Sequence, residues 1–217
     1  MVNFKKTLMA SAGGGGGLDV DEVFSTYLYD GTGSTQTITN GIDLAGEGGM
    51  VWIKSRSNTS YPAIFDTERG VFKLLYSSQT WSESNGNAAT YPPTGSLRQF
   101  NSNGFEVGSY DDVNGSGEDF ASWTFRKTPK FFDVVTYTGN GAAGRQIAHD
   151  LGCDVGMLVV KGVSVSNPWS VWHNDFTGNA NYLTLNSTDQ AYSNGESRFG
   201  NNSTYINPTS SNFTVGT

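Results

Sequence analysis

Apolar residues recur at every second position in short runs along this chain, and each run is closed by Gly, Asn, Asp or Pro. A period of two puts one face of an extended segment in a core and the other in water, so these runs read as β-strands joined by tight turns. Strands are expected near residues 23–29, 35–39, 50–54, 63–66, 72–77, 97–100, 105–108 and 120–126. Few stretches read as helix. Met50 to Ile53 and Met157–Val160 are continuously apolar, which predicts central strands covered on both faces.

The pattern then repeats with a period of about 108 residues. Tyr29, Gly31 and Gly33 fall on Tyr137, Gly139 and Gly141; Gly49-Met-Val-Trp-Ile-Lys54 falls on Gly156-Met-Leu-Val-Val-Lys161. Ile64-Phe65-Asp66 matches Val171-Trp172-His173, Phe72 to Ser77 matches Tyr182 to Ser187, and Phe105 to Gly108 matches Phe213 to Gly216. The register drifts only in Gly-rich turns, where changes of length cost little. The expected architecture is all-β: two tandem antiparallel β-sandwich repeats, lectin-like or jelly-roll-like, over residues 18–128 and 129–217, with Thr128-Pro129-Lys130 as their boundary. Copy two offers no match to Phe120-Ala-Ser-Trp-Thr-Phe-Arg126, in which Ala121, Trp123 and Phe125 form the apolar face expected to close the sandwich. The second repeat is therefore read as lacking its last strand, to be supplied by a longer chain or by a neighbouring subunit.

Residues 1–17 stand apart. The run Gly13 to Gly17 has no side chains to pack and reads as a flexible tether. The arm before it carries Phe4, Lys5, Lys6, Leu8 and Met9, the residues a docking peptide would use on a partner, although a disordered terminus has the same look. Its Lys-Lys and Ala-Ser-Ala imitate a signal peptide but lack the apolar run of roughly 7 to 15 residues. Nothing later approaches the ~20 apolar residues of a membrane span.

Composition supports many turns and few charges: 28 Gly among 217 residues and 15% charged side chains. The formal net charge of −7, with no basic cluster, disfavours a nucleic-acid partner. A lone Cys153 forms no intrachain disulfide and reads as a small buried apolar residue.

Candidate chemistry is sparse. Gly139-Asn-Gly-Ala-Ala-Gly144 spells the dinucleotide fingerprint but lacks the following helix and acidic residue, so it reads as a hairpin turn. Asp112, Asn114 and Ser116 imitate the opening of a calcium loop, yet Trp123 stands where its closing Glu belongs, and a solvated loop is the better reading. His149, His173 and Cys153 fall short of a zinc site or a catalytic dyad. No cofactor and no catalytic activity are expected. Trp52 and Trp123 lie inside strands and read as core; Trp81, Trp169, Tyr61 and Tyr91 lie in or beside loops and are the candidates for stacking on a sugar.

The segment from Tyr29 to Leu44, with Gly49 to Lys54, Phe65 to Gly70, Phe100 to Phe105 and Ala121 to Lys127, resembles the repeated β-sandwich domain of tail-associated virion proteins of tailed phages, especially those of marine cyanobacteria. The resemblance covers nearly the whole chain and its motifs are structural. It implies a virion component, most simply of a tail fibre or related appendage supporting host attachment. It also implies contacts with other virion proteins and with copies of itself, a trimer among the options. A lectin-like module for a host glycan and a capsid-decorating protein are the alternatives.

Overall fold

A computed structural model describes residues 18–83, 95–176 and 180–216. In the first half a one-turn helix α1 (Val20–Val23) leads into β1 (Phe24–Asp30) and β2 (Gln36–Thr39), followed by helix α2 (Leu44–Glu47), β3 (Gly49–Ser55), β4 (Ala63–Asp66) and β5 (Leu75–Tyr76). Beyond these lie β6 (Leu97–Asn101), β7 (Gly104–Val107), helix α3 (Asp111–Asn114) and β8 (Asp119–Arg126). They form a five-stranded sheet ordered β1-β8-β3-β4-β5 and a three-stranded sheet ordered β2-β7-β6. The two sheets share one core: Val51, Ile53, Phe65 and Phe120 from the larger meet Ile38, Leu97, Phe105 and Val107 from the smaller.

Strand β8 has the longest ladders. It pairs antiparallel with β1 from Phe24↔Phe125 to Asp30↔Asp119, and with β3 from Gly49↔Arg126 to Ser55↔Phe120. Gly49 makes the close approach possible, because a Cβ there would sit 2.1 Å from the Phe125 carbonyl oxygen. The face of β8 turned to the core is the opposite of the one expected to close the fold. Phe120, Ser122 and Thr124 are fully buried, and Asn40 Nδ2 donates to Thr124 Oγ1 at 2.8 Å across the layers. Trp123 and Phe125 are only half-buried: Trp123 meets Trp52 edge-on, and Phe125 packs against Phe24, Phe131 and Phe132.

The second half contributes β9 (Arg145–Ala148), β10 (Met157–Val160), β11 (Ser170–His173), a 3-10 turn (Asn174–Phe176), β12 (Leu183–Thr184), a second such turn (Gly195–Ser197) and β13 (Asn212–Val215). Its ladders reproduce those of the first half residue for residue. Met157↔His173 stands for Met50↔Asp66, Ile147↔Phe213 for Ile38↔Phe105, and Val171↔Leu183 for Ile64↔Leu75, which sets Leu183 at the place of Leu75, two residues before the Leu185 that the sequence match puts there. Its smaller core gathers Val155, Trp172, Tyr182 and Phe199.

These ladders do not close into two sandwiches. The chain is a mixed fold in which short helices punctuate several small open sheets, and none is curled into the lectin-like or jelly-roll form expected from the strand pattern. Strands of two to five residues in β2, β4, β5, β6 and β7 are too short for a continuous closed layer. Helices fill the places where more sheet would lie: Leu44 of α2 and Val113 of α3 are buried in the first core. The expected strand 72–77 shrinks to β5 because Phe72 and Gly70 take positive φ, 63° and 93°. The strand from Asp133 to Tyr137, which the match of Tyr137 to Tyr29 implies, does not form. Its first-copy counterpart is held by β8, and no described strand plays that part in copy two. For the same reason β10, expected to be central, is an edge strand with Met157 and Val159 exposed. The segment Gly139 to Gly144 leads into β9 rather than a helix, and Cys153 is half-buried rather than buried.

Asn114 locks the loops at one end of the first half. Fully buried, it donates to the Ser34 and Gly108 carbonyls, each at 2.6 Å, and accepts from Thr32 N–H at 2.9 Å and Gln36 Nε2 at 2.6 Å. Asn114→Ala takes the donor from the buried Gly108 carbonyl and unties the more exposed Thr32, Ser34 and Gln36, and is expected to cost about 1–3 kcal/mol in urea unfolding; a loss under about 0.5 kcal/mol would contradict that role.

Candidate functional site

Three aromatic rings meet on the surface of the first half. Tyr61 comes from the β3–β4 loop, Tyr76 from β5 and Trp81 from the segment after it. Their ring centroids lie 5.3 Å apart for Tyr61–Trp81, 5.4 Å for Tyr61–Tyr76 and 5.7 Å for Tyr76–Trp81, with interplanar angles of 76°, 63° and 84°. Edge-to-face contact suits the ring quadrupoles and leaves ring surface open to solvent. Tyr61 is 41% exposed and Trp81 47%, while Tyr76 is half-buried beneath them.

Each ring is anchored locally. Ser77 N–H donates to the Pro62 carbonyl at 3.1 Å, tying the Tyr61 loop to the end of β5. The loop itself is pinned by Glu118, which accepts from Ser55 Oγ at 3.0 Å and Asn58 Nδ2 at 2.6 Å. Behind the rings, Tyr76 donates its hydroxyl to Asp112 Oδ2 at 2.6 Å, and Tyr110 donates to the same oxygen at 2.9 Å. Burial, and then the hydrogen bond to Asp112, push the Tyr76 phenol well above its ordinary range, so it stays protonated at neutral pH.

Trp81 is positioned largely by the second half. Trp169, offered by the sequence as a surface ring, is only 6% exposed and packs on Ile64 and Leu75. Its Nε1–H lies 3.0 Å from the Tyr76 carbonyl and 3.1 Å from that of Gln79. Lys161 Nζ donates to the Thr80 carbonyl at 3.3 Å, and Glu83 N–H donates to the Val163 carbonyl at 2.8 Å. From the first half, Arg69 grips Glu83 at 3.0 Å and Asp66 at 2.6 Å in a buried ion-pair network. Residues 77–83 thus form a strap fastened on both sides.

Of the four sugar candidates, the structure brings Tyr61 and Trp81 together, buries Trp169 beneath the strap, and leaves Tyr91 outside the described residues. The docking candidates Phe4, Lys5, Lys6, Leu8 and Met9 also lie outside them. The calcium candidates do not converge: Asp112 accepts two phenols, Asn114 is consumed in its buried network, and Ser116 is exposed. Among the described residues no group of three His, Cys, Asp or Glu side chains is disposed to hold a metal ion. Sequence reasoning missed Tyr76, Tyr110 and Asp112 as supports of the cluster. Tyr76 lies in an alternating run and reads as core, and nothing in the spacing pairs it with Asp112.

A family model for the domain of unknown function DUF7483 matches residues 19–217. The chain belongs to this family. No curated protein and no solved structure matches it. The DUF7483 match spans both copies, from α1 to the end of β13, so the aromatic cluster and the strap that carries it lie inside the family's own boundaries.

Truncating the buried wedge with Trp169→Ala is expected to cost about 3–5 kcal/mol. It should also release the strap, seen as faster hydrogen exchange at residues 77–83; unchanged exchange there would show that the second half does not hold Trp81.

Proposed function

We propose that this DUF7483 chain is a non-catalytic structural module of a phage tail appendage that meets a host-surface glycan through Tyr61, Tyr76 and Trp81. The observation that carries the glycan contact is the exposed three-ring cluster held by two separate parts of the fold. Sugars present C–H faces that stack on aromatic rings, while nearby backbone carbonyls and amides order their hydroxyls. The strap meets the first of these conditions. Tyr61 and Trp81 keep close to half of their surface open even while they pack edge-to-face, and they supply a ready contact at little entropic cost, since the strap is already fastened. The appendage setting is supported by the resemblance of the Tyr29–Leu44 and Ala121–Lys127 motifs to tail-associated domains.

The test is a glycan array of bacterial surface polysaccharide fragments probed with the full chain. Saturable binding is expected, weakened about tenfold or more by Trp81→Ala and by Tyr61→Ala, with each variant still unfolding cooperatively at a modestly lower temperature for the ring contacts it loses. Absence of any binding, or binding indifferent to both substitutions, would refute the glycan contact.

A further inference from the structure

The two halves share their ladders but differ on one side of one strand. In the first half β3 lies between β4 and β8; its counterpart β10 pairs with β11, and among the described residues no strand pairs with its other side. The side chains beside that free edge are apolar and uncovered, with Met157 55% and Val159 38% exposed. An unpaired edge bearing bare apolar side chains is a template for strand addition, and proteins that do not use such an edge blunt it with charge, proline or a bulge. Met157-Leu-Val-Val160 carries none of these.

The first half shows what fits there. Opposite β3, strand β8 sets Phe125 against Met50, Thr124 against Val51, Trp123 against Trp52 and Ser122 against Ile53. The same register on β10 puts an aromatic ring against Met157, a small polar residue against Leu158 and a second ring against Val159. Charge fixes the far end. Lys127, just after β8, donates to Glu68 at 2.7 Å. Glu68 follows Thr67, whose N–H donates to the Gly49 carbonyl at 3.0 Å; Asn174 N–H donates to the Gly156 carbonyl at the same 3.0 Å, and Asp175 follows it. Asp175 therefore occupies the place of Glu68. Its side chain is 85% exposed, with the His173 ring 3.5 Å away and no Lys or Arg in ion-pair contact among the described residues.

We propose that the free edge of β10 accepts an extended strand in trans from a partner polypeptide. The strand runs antiparallel to β10, alternates aromatic with small polar residues, and ends on Arg or Lys against Asp175. Main-chain hydrogen bonds supply affinity, and the alternating side chains with the terminal charge supply register and direction.

The probe is a synthetic peptide with the sequence of residues 119–127, Asp-Phe-Ala-Ser-Trp-Thr-Phe-Arg-Lys, titrated into the full chain beside a scrambled control. Saturable binding of the ordered peptide alone is expected, with new hydrogen-exchange protection at Met157–Val160. Asp175→Lys should weaken binding about tenfold and restore it toward a peptide ending in Glu. Met157→Lys and Val159→Lys, both at exposed positions, should each abolish it without lowering the melting temperature. Three results would overturn the proposal: no saturable binding, equal binding of the scrambled peptide, or protection appearing on β3 in place of β10.

Discussion

Backbone amides and carbonyls taken from water must find partners, and in the five-stranded sheet strand β8 meets most of that demand. Its two seven-residue ladders satisfy one side of β1 and one side of β3, and its Phe120–Ser122–Thr124 face floors the first core. Remove that strand in thought and the consequences are visible in the same molecule. The second half has the β3-β4-β5 ladder and the β2-β7 ladder in their original registers, but no β8 among the described residues. There the counterpart of β1 forms no strand, and the counterpart of β3 becomes an exposed edge.

A half with so small a core leans on its neighbour. Trp169 enters the first half against Ile64 and Leu75, and its indole N–H, with Lys161 and Val163, captures the strap that follows β5. Phe131 and Phe132 cover Phe125 on the outer face of β8. The repeats thus took different parts: one is complete and carries the surface rings, and the other clamps the segment that presents them. The carboxylates beneath this region serve structure, with Asp66 and Glu83 neutralised by Arg69 and Asp112 engaged by two tyrosines.

Much of this was legible in the residues. Period-two alternation located β1 through β4 and β6 through β8 to within a residue or two, and the internal repeat anticipated which strands would share a register except at β12, where the match ran two residues late. Architecture was not legible, because alternation reports which face is buried but not how many strands a layer holds or what plugs its ends. The one-turn helices at Leu44 and Val113 are too short to show a 3.6-residue period. The inward face of β8 was misassigned for a related reason: Ser122 and Thr124 look solvent-facing until Asn40 and the Tyr27 carbonyl are seen to receive them. Trp169 failed as a surface candidate because a loop tryptophan carries no sign of the neighbour that will bury it. Tyr61 and Trp81 were legible singly, whereas their meeting required Pro62 and Ser77 to be joined across the sheet.

Residue-resolved hydrogen exchange of the full chain under native conditions tests most directly whether β8 organises the fold. Amides of β1, β3 and β8 should exchange last and together, since opening any of them opens the shared ladders, while residues 133–137 exchange at nearly unprotected rates. Slow exchange at 133–137, matching that of β1, would contradict the account by showing that this segment is held in a sheet without any counterpart of β8.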